Sequence, residues 1–514
     1  MSKKRLIATV IGVFLAVTLN TTYAFEAFYG DTELNYYDKT KAYKGYTLFR
    51  PYSGPLSYLV DMEGNVINTW PSNVQNPQLL ENGSLFGRSS KDVYTGVVER
   101  NWAGDIVWEH YEKRENYHPH HDHVRTFNPK LNAYTTMYIA NKDLTHEECI
   151  DAGCDPSLSR DYSSAQMDTI VEVDMNGNIV WEWRFIDHVV QDIDPTKENY
   201  VGKGKTIADY PGRLNLNWGS PVKRDWLHCN SMDYNKDLDQ CVINSVDGEF
   251  YVVDHGNTFI PGDPEGSMAL AAGPAGDFIY RWGDPARYNQ GDKPFIPRVW
   301  RQISNGHKQI GGAHDIQWIR PGLPGAGHLL IFNNKCFVYE ETMQSQILEI
   351  NPFLDISGKD TGNYVNPPEA GYHDSNFDSK SKKTRRQQRS NHVVWMFESK
   401  SNQSFYSQVN GGCQRLPNGN TLVCASVNGH FFEVTPEGEV VWEYINPVTA
   451  DGIKKIIGDS PPQYNNSFRC YRYGPDFPGL KGKDLRPKGT ITELVDRGEI
   501  QQFKAQPRRA RKRR

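Results

Sequence analysis

The sequence predicts an all-β fold, a six-bladed β-propeller with long insertions between its strands. Three observations favour this fold: one hairpin pattern recurs six times, a second strand pair lies between the copies, and no heptad run or long amphipathic helix competes with them. The recurring pattern is a short apolar strand that ends in an acidic residue, a turn containing glycine, and a strand that ends in an aromatic residue. Alternating strands around Asn-Gly or Glu-Gly are typical of β-hairpins.

The copies of both elements account for six four-stranded units. Continuous copies of the hairpin pattern cover residues 58–70, 97–108, 170–183 and 432–444, and two split copies join 251–254 to 278–282 and 347–350 to 392–395. The second strand pair lies at residues 121–138, 228–244, 314–332 and 411–424, with a degenerate version at 76–86. Several such units arranged in a ring make a propeller. Two unrelated β-sandwiches would not explain one pattern that recurs six times.

Long insertions separate some of these strands. They cover residues 141–169, 186–224, 256–274, 284–311 and 352–391 and are rich in Pro, Gly, Asp and Ser. Ordered loops of this length are often functional.

The N-terminal 24 residues differ from the rest of the chain. A basic start is followed by an apolar run over residues 6–19 and the small-residue exit Thr22-Tyr23-Ala24. The run is too short to span a bilayer comfortably, which favours a cleaved signal peptide over an uncleaved anchor. We expect a signal peptide at residues 1–24, a catalytic propeller at 25–490 and a basic C-terminal tail at 491–514. No later segment is apolar enough to span, so a periplasmic or secreted protein is predicted.

Composition excludes two broad classes of protein. The chain has 514 residues, and 57 basic against 62 acidic side chains give a net charge of −5, which argues against a dedicated nucleic-acid binder. Hydrophobic residues make up 38% of the chain, enough for a large core, which excludes wholesale disorder.

All eight cysteines follow the predicted cleavage point, and an even number in an oxidising compartment indicates disulfides. Cys149 and Cys154 can close a small loop. Cys413 and Cys424 flank the turn at residues 417–420 symmetrically, so folding about that turn predicts that they lie opposite one another.

Three of the fifteen histidines occupy corresponding places in the repeat. His121, His228 and His314 each begin a copy of the second strand pair, so we expect them to project into the central channel from successive blades. For each of them alone, a structural histidine at the start of a strand is the alternative. Asp122 and Asp315 follow two of these histidines, and because neighbours in a strand point to opposite faces, we expect these carboxylates to bond the backbone or an adjacent blade.

Three motifs carry a resemblance to a known family. They are Asp225-Trp-Leu-His-Cys-Asn-Ser231, then Ala313-His-Asp-Ile-Gln-Trp318 with the Phe-Asn-Asn strand end at 332–334, and Phe405-Tyr-Ser407 followed by Gln414-Arg-Leu-Pro-Asn-Gly-Asn-Thr-Leu422. In these residues the chain resembles the bacterial aryl-sulfate sulfotransferase family. The likeness extends from about Gly45 to Leu480. The first motif is specific, whereas the Asn-Gly-Asn turns are generic.

The resemblance implies a six-bladed periplasmic propeller that transfers a sulfuryl group from an aryl sulfate to a phenol without phosphoadenosine phosphosulfate. It implies that a channel histidine attacks sulfur and carries the group as a sulfohistidine, while other histidines and an arginine hold the sulfate oxygens. By position, His228 and His314 match two of the family's channel histidines, and His121 is a third catalytic candidate. Tyr406 is a fourth, as an acid or an aromatic wall. Neutral imidazole is a usable nucleophile near pH 7.

Two positions depart from the family's pattern. The arginine expected after the Phe-Asn-Asn strand end is absent, and Lys335, beside Asn334, is the nearest cation. We therefore assign Lys335 and Asn334 to substrate binding, although lysine lacks the planar fork of arginine. In the fifth blade, Gly411 occupies the slot that holds a histidine in other blades, so the choice of nucleophile among the three histidines stays open.

Two other functions fit the same histidines. Three neutral imidazoles around an open position suit zinc or copper, so His121, His228 and His314 are the ligands of an alternative oxidoreductase or lyase. The other alternative is a propeller that binds a ligand without catalysis. The sulfotransferase requires no cofactor or metal ion. Its expected partners are a small aromatic sulfate donor and a phenolic acceptor, and no nucleic acid is expected. Whether the protein is a monomer or a homodimer stays an open alternative.

Overall fold

The computed structural model describes residues 30–71, 73–156, 164–218, 225–294, 306–335, 344–376, 386–399, 405–457 and 464–503. Six antiparallel sheets in these ranges form the blades of a six-bladed β-propeller. We number the blades in the order in which their inner strands occur along the chain.

Each blade has four main strands, which are named in order from the inner edge of the blade to its outer edge. Blades 1 to 3 contain Gln75–Leu79, Leu85–Lys91, Tyr94–Arg100 and Ile106–Tyr111; Tyr117–Asn128, Ala133–Thr145, Ser164–Asp174 and Ile179–Arg184; and Cys229–Asn235, Gln240–Ser245, Glu249–Asp254 and Tyr280–Trp282. Blades 4 to 6 contain His314–Trp318, Leu329–Asn333, Gln346–Ile350 and Val393–Phe397; Gly412–Arg415, Thr421–Ala425, His430–Val434 and Val440–Ile445; and Ser467–Tyr473, Tyr46–Pro51, Leu56–Val60 and Val66–Pro71.

Short elements decorate the blades. The α-helices are His146–Asp151, Pro264–Ala272, Pro367–Ala370 and Ile491–Asp496. Small strand pairs join Gly30–Asp31 to Ile456–Ile457, Val189–Val190 to Leu214–Asn215, Tyr372–Asn376 to Arg386–Ser390, and Val448–Thr449 to Gly452–Ile453. Single 3₁₀ turns lie at Phe185–His188, Ile207–Asp209, Gly256–Thr258, Pro274–Gly276, Pro285–Tyr288, Ser426–Asn428 and Pro478–Leu480.

In blades 2 and 6, the acidic residue of the recurring pattern caps the hairpin turn that follows it. In blade 2, Asp174 Oδ1 accepts hydrogen bonds from the backbone N–H groups of Asn176 and Asn178, at 2.9 and 2.8 Å. Gly177 supplies the left-handed conformation of that turn, with φ of 86°. Asp61 caps the equivalent turn of blade 6 in the same way. A short carboxylate that bonds its own turn is typical of such hairpins.

The tryptophan near the end of each pattern joins its blade to the next. In every blade, a tryptophan of the fourth strand donates its indole N–H to the connection between the third and fourth strands of the following blade. The six bonds run from Trp70 to Asn101 O, Trp108 to Met175 O, Trp181 to Thr258 Oγ1, Trp282 to Ser390 Oγ, Trp395 to Pro436 O and Trp442 to Met62 O. The repeat in the sequence therefore encodes the contact between neighbouring blades.

An early strand and a late strand of the chain pair to close the ring. Ser467–Tyr473, which we call the closing strand, pairs with Tyr46–Pro51 and becomes the inner strand of blade 6. Glu33–Tyr37 adds a fifth, outermost strand to blade 5. The buried apolar side chains lie mainly between adjacent blades, for example around Trp442 and Phe49 at the junction of blades 5 and 6. Burial of apolar surface between blades thus holds the ring together.

The cysteines differ from the prediction. Cys413 lies opposite Val423, and Cys424 opposite Gly412, so the predicted Cys413–Cys424 pair is wrong by one register position and the two thiols face opposite sides of the sheet. The thiols of Cys149 and Cys154 are hydrogen-bonded neighbours. They form no disulfide, and the seven cysteines in the described ranges are all free thiols.

The packed chain continues beyond residue 490, where the propeller was predicted to end. Helix Ile491–Asp496 is capped by Thr490, and Ile491 and Leu494 are buried against blades 5 and 6. The predicted signal peptide at residues 1–24 and the end of the tail at 504–514 lie outside the described residues. Of the helices that the structure describes, none combines the length and the apolar character needed to cross a membrane.

Candidate active site

The inner strands begin at one end of the central channel, in an unusual backbone conformation. Five non-glycine residues there have positive φ angles between 48° and 56°: Asn76, His121, His228, Asp315 and Asn410. This left-handed conformation is costly for residues with a Cβ atom and persists only where the surroundings hold it, often at functional sites. The strand starts of blades 1 to 5 therefore share one strained turn.

Three imidazoles from blades 2 and 3 meet at these turns. The ring centroids of His121 and His228 lie 4.7 Å apart, with their planes at 72°. His120 lies 4.9 Å from His121 and 6.4 Å from His228. Phe468, from the closing strand, lies 6.1 Å from His121 and 6.4 Å from His314. We call His120, His121 and His228 the histidine cluster; His314 stands beside it, next to the same phenylalanine.

Asp225 forms a hydrogen bond with Nδ1 of His228. Its Oδ2 atom is 2.5 Å from His228 Nδ1, and both side chains are more than a third exposed. The hydrogen bond to this carboxylate raises the pKa of His228 above its usual value, against an opposing effect of desolvation. Because Nδ1 faces Asp225, Nε2 is the nitrogen that His228 can present to a ligand.

Asp168 and His120 stand behind His121. Asp168, whose side chain is fully buried, has Oδ1 at 2.9 Å from His120 Nε2, and its Oδ2 accepts a hydrogen bond from the backbone N–H of Cys229. His120 Nδ1 lies 2.6 Å from His121 Nδ1, a distance at which one ring donates to the other. Burial, together with the neighbouring imidazoles and Arg88, holds the pKa of His121 well below its usual range.

His314 has both ring nitrogens occupied by the protein. Its Nδ1 lies 2.8 Å from Gly312 O and from Asn334 Oδ1, and its Nε2 accepts a hydrogen bond from the backbone N–H of Asn410 at 3.2 Å. Burial lowers the pKa of His314 to about 4, so the ring is uncharged near neutral pH. Asn334 is itself fully buried and donates its amide to the carbonyls of Asn410 and Ser407. Asn334 therefore positions His314 and the start of blade 5.

The other predicted residues have different surroundings. Lys335 is exposed, and its side chain passes near Gly312 at the rim of the channel. Tyr406 is 5% exposed and directly precedes Ser407. Gly411 has φ of 112°, and a Cβ atom there would lie 3.0 Å from Cys424 O and from the Phe332 ring. The slot for a fifth-blade histidine is therefore closed by conformation and by packing.

A buried ionic group crosses the channel beside the histidines. Arg469, from the closing strand, has Nη1 at 2.9 Å from Asp122 Oδ2 and Nε at 3.1 Å from Asp315 Oδ1. It also reaches Tyr471 and the carbonyl of Asn230. One side chain thus links blades 2, 3, 4 and 6 across the centre of the ring.

Asp122 and Asp315 also bond the next inner strand, as the alternation of side chains predicts. Asp122 accepts from the backbone N–H of Met232, at 3.0 Å, and Asp315 from that of Cys413, at 2.8 Å. Burial raises the pKa of Asp315 to about 6, although Arg469 opposes the shift.

Three residues of the site were missed from the sequence: His120, Asp168 and Asp225. Asp225 begins the specific Asp-Trp-Leu-His motif, so its spacing of three from His228 was an available signal. His120 was visible as half of a histidine pair, but alternation in a strand would point it away from His121. Asp168 comes from the third strand of blade 2 and has no local signal.

The described ranges contain no group of three or more His, Cys, Asp or Glu side chains arranged to hold one metal ion. In the histidine cluster, two nitrogens face each other and two face carboxylates. The arrangement is that of neighbouring imidazoles with one carboxylate behind His228 and another behind His120.

Several solved structures are similar to this chain. A protein of unknown function from Bacteroides caccae has a TM-score of 0.37 and 10% identity, covering 84% of this chain and 99% of that one. A protein from Lactobacillus plantarum has a TM-score of 0.36 and 8% identity, with coverages of 84% and 99%. The β-propeller domain of Cps50 (Swd1) from Myceliophteria thermophila has a TM-score of 0.33 and 9% identity, with coverages of 80% and 89%.

No curated protein matches the chain. A family profile described as Arylsulfotransferase (ASST) matches residues 38–456.

Proposed function

The chain belongs to the arylsulfotransferase family, and from this premise we propose that it transfers a sulfuryl group from an aryl sulfate to a phenolic acceptor through a covalent histidine intermediate. One observation carries the proposal. Imidazoles from two blades meet within 4.7 Å at the channel end, each backed by a carboxylate directly or through another imidazole.

Such a cluster suits sulfuryl transfer. By analogy with phosphoryl transfer, the transferred group passes through a loose transition state whose charge is spread over three oxygens, so alignment and cationic donors do most of the catalytic work. His228, with its raised pKa, is one such donor. Arg88, from blade 1, is close enough to affect the pKa of His121, and Lys335 lies at the rim.

The reaction proceeds in two transfers. In the first, an imidazole nitrogen forms a bond to sulfur while the sulfur–aryl oxygen bond breaks, and the leaving phenolate takes up a proton. In the second, the acceptor phenol gives its proton to a base and attacks sulfur, and the nitrogen–sulfur bond breaks. Both transfers use only side chains of this protein, and the donor supplies the group, so no cofactor is required. We place the reaction in the periplasm or outside the cell, on the strength of the leader-like residues 1–24.

The test is incubation with p-nitrophenyl sulfate, with and without phenol. We expect release of p-nitrophenol that depends on phenol, with one phenyl sulfate formed for each p-nitrophenol. His118→Asn is the matched control, because His118 lies in the same strand but is exposed and pairs with Asp143. Release of inorganic sulfate regardless of phenol would instead identify a hydrolase, and absence of turnover would overturn the proposal.

A further inference from the structure

Two of the channel positions at the strand starts, Gly411 and His314, do not have a free nitrogen. At Gly411 there is no side chain, and a Cβ atom there would be crowded by Cys424 O and Phe332. At His314, Nδ1 is used by Gly312 and Asn334, and the lone pair of Nε2 accepts the N–H of Asn410. An attacking nitrogen needs an unoccupied lone pair, which directs attention to the histidine cluster.

The contacts within the cluster favour one arrangement of protons on His120 and His121. Asp168 Oδ1 lies 2.9 Å from His120 Nε2, and although the contact lacks the angles of a hydrogen bond, a carboxyl oxygen at this distance favours a proton on that nitrogen. With that proton in place, the uncharged ring of His120 has its lone pair on Nδ1. The 2.6 Å contact between the two Nδ1 atoms then requires His121 to donate its Nδ1 proton. His121 is left with an unprotonated Nε2, and the relay of Asp168 and His120 can stabilise the positive charge that develops on the His121 ring when Nε2 attacks.

His228 is suited to the opposite task. Asp225 accepts from its Nδ1 and favours the imidazolium form, which carries a second proton on Nε2. The ring centroids of His228 and His121 lie 4.7 Å apart with the planes at 72°, so a group bonded to His121 has the His228 ring as its neighbour. Two neighbouring groups whose surroundings push their pKa values apart are the usual arrangement for an acid beside an unprotonated partner.

We propose that His121 is the nucleophile of this enzyme, positioned by His120 and Asp168, and that His228 with Asp225 is the acid that protonates the leaving phenolate. The inference rests on the proposed sulfotransferase function. His121 Nε2 bonds to sulfur as the sulfur–aryl oxygen bond breaks, and the electron pair of that bond takes the Nε2 proton of His228. In the return step, neutral His228 removes the proton of the acceptor phenol, whose oxygen bonds to sulfur, and the nitrogen–sulfur electron pair returns to His121.

The decisive measurement is the site of sulfuryl attachment. Protein mixed rapidly with p-nitrophenyl sulfate, without acceptor, is quenched in alkali and digested, and the peptides are analysed by mass spectrometry. We expect a mass increase of one sulfuryl group on the peptide that contains His121. His121→Asn should form no adduct and lose about 10⁴-fold or more in kcat/KM, as removal of a nucleophile does. In His121→Gly, added imidazole should restore p-nitrophenol release, whereas it should have no effect on the His118→Asn control.

Three further variants separate the roles of His228 and His120. His228→Gln should slow transfer from phenyl sulfate far more than from p-nitrophenyl sulfate, because the p-nitrophenolate leaving group needs no acid. His120→Ala should lower kcat by about 10²-fold with little change in KM, and His120→Gln, whose amide oxygen can accept the Nδ1 proton of His121, should recover part of that loss. A purely structural role for His120 would not lower kcat while KM stays nearly unchanged, and it would not predict recovery in His120→Gln.

The outcomes distinguish this inference from the proposed function. A wild-type enzyme that transfers sulfuryl groups but carries the adduct on His228 or His314 overturns the assignment of His121 and leaves the sulfotransferase function standing. Adduct formation by a folded His121→Asn variant does the same. A wild-type enzyme with neither turnover nor adduct overturns both.

Discussion

Asp225 and Asp168 stand behind two neighbouring imidazoles and affect them differently. Asp225 contacts His228 directly and raises its pKa, whereas Asp168 reaches His121 only through His120. His121 is also more deeply desolvated, which keeps it uncharged. At the scale of single residues, the site therefore combines a proton on His228 with a nitrogen lone pair on His121 at the same pH.

This difference predicts the pH dependence of activity. The hydrogen bond and charge of Asp225, and to a smaller extent the charges of Asp168 and Asp247, raise the pKa of His228. If His228 acts as an acid, kcat/KM falls as pH rises through its raised pKa. Asp225→Asn removes the main cause of that elevation, so the alkaline limb of the profile should move to lower pH. Measurement of kcat/KM for phenyl sulfate, whose leaving group needs the acid, across the pH range checks this prediction, with Asp143→Asn, which removes the partner of exposed His118, as the control. Movement of the alkaline limb to higher pH would contradict it.

At the scale of strands and turns, much of the fold could be predicted from the sequence because its determinants are local. The acid that caps a hairpin and the glycine that turns it are only three residues apart in the chain, as at Asp174 and Gly177. The pairing of thiols was harder, because the register at Cys413 differs from symmetric folding by one residue. That single shift reverses the face to which a side chain points.

The candidate site was only partly predictable for a related reason. The register of the inner strand of blade 2 shifts between Pro119 and His123, and His121 lies in that shift with a positive φ. A bulge of this kind reorients side chains, so His120 and His121 contact each other although simple alternation would separate them. Nothing in the local sequence specifies such a bulge, and the approach of Asp168 depends on the whole blade.

Gly411 provides a test at this scale. We expect Gly411→Ala to lower the free energy of unfolding by about 2–3 kcal/mol, because the new Cβ atom requires a left-handed backbone and meets Cys424 O and Phe332. Gly204→Ala is the matched control: its φ is 76° with no atom within 4 Å of the new Cβ, so about 1 kcal/mol is expected. Urea unfolding of both variants gives the comparison, and equal losses would show that packing around Gly411 is unimportant.

For the whole molecule, Arg469 connects distant parts of the ring. It belongs to the closing strand and lies between Asp122 and Asp315, all three nearly fully buried. Removal of one partner from a buried ionic group leaves the remaining charges without compensation. The ring of indole hydrogen bonds, by contrast, joins only neighbouring blades.

Arg469→Ala should therefore lower the free energy of unfolding by about 3–5 kcal/mol. Asp122→Asn and Asp315→Asn introduced together with Arg469→Met should restore much of that loss, because no buried charge then stands alone. Thermal and urea unfolding measure both effects. Arg486→Ala, which breaks an exposed pair with Asp484, should cause no measurable change. An equally stable Arg469→Ala protein would show that closure depends on the strand pairing alone.

Closure by the closing strand also sets a time at which activity can begin. Phe468 flanks His121, and Arg469 anchors Asp122 beside it, yet both belong to the last strand of the ring to be synthesised. A ribosome that has made blades 1 to 5 has made every histidine of the cluster, but the wall beside them is still missing. We therefore expect no activity from an unfinished chain, and turnover only after Ser467–Tyr473 has paired with Tyr46–Pro51.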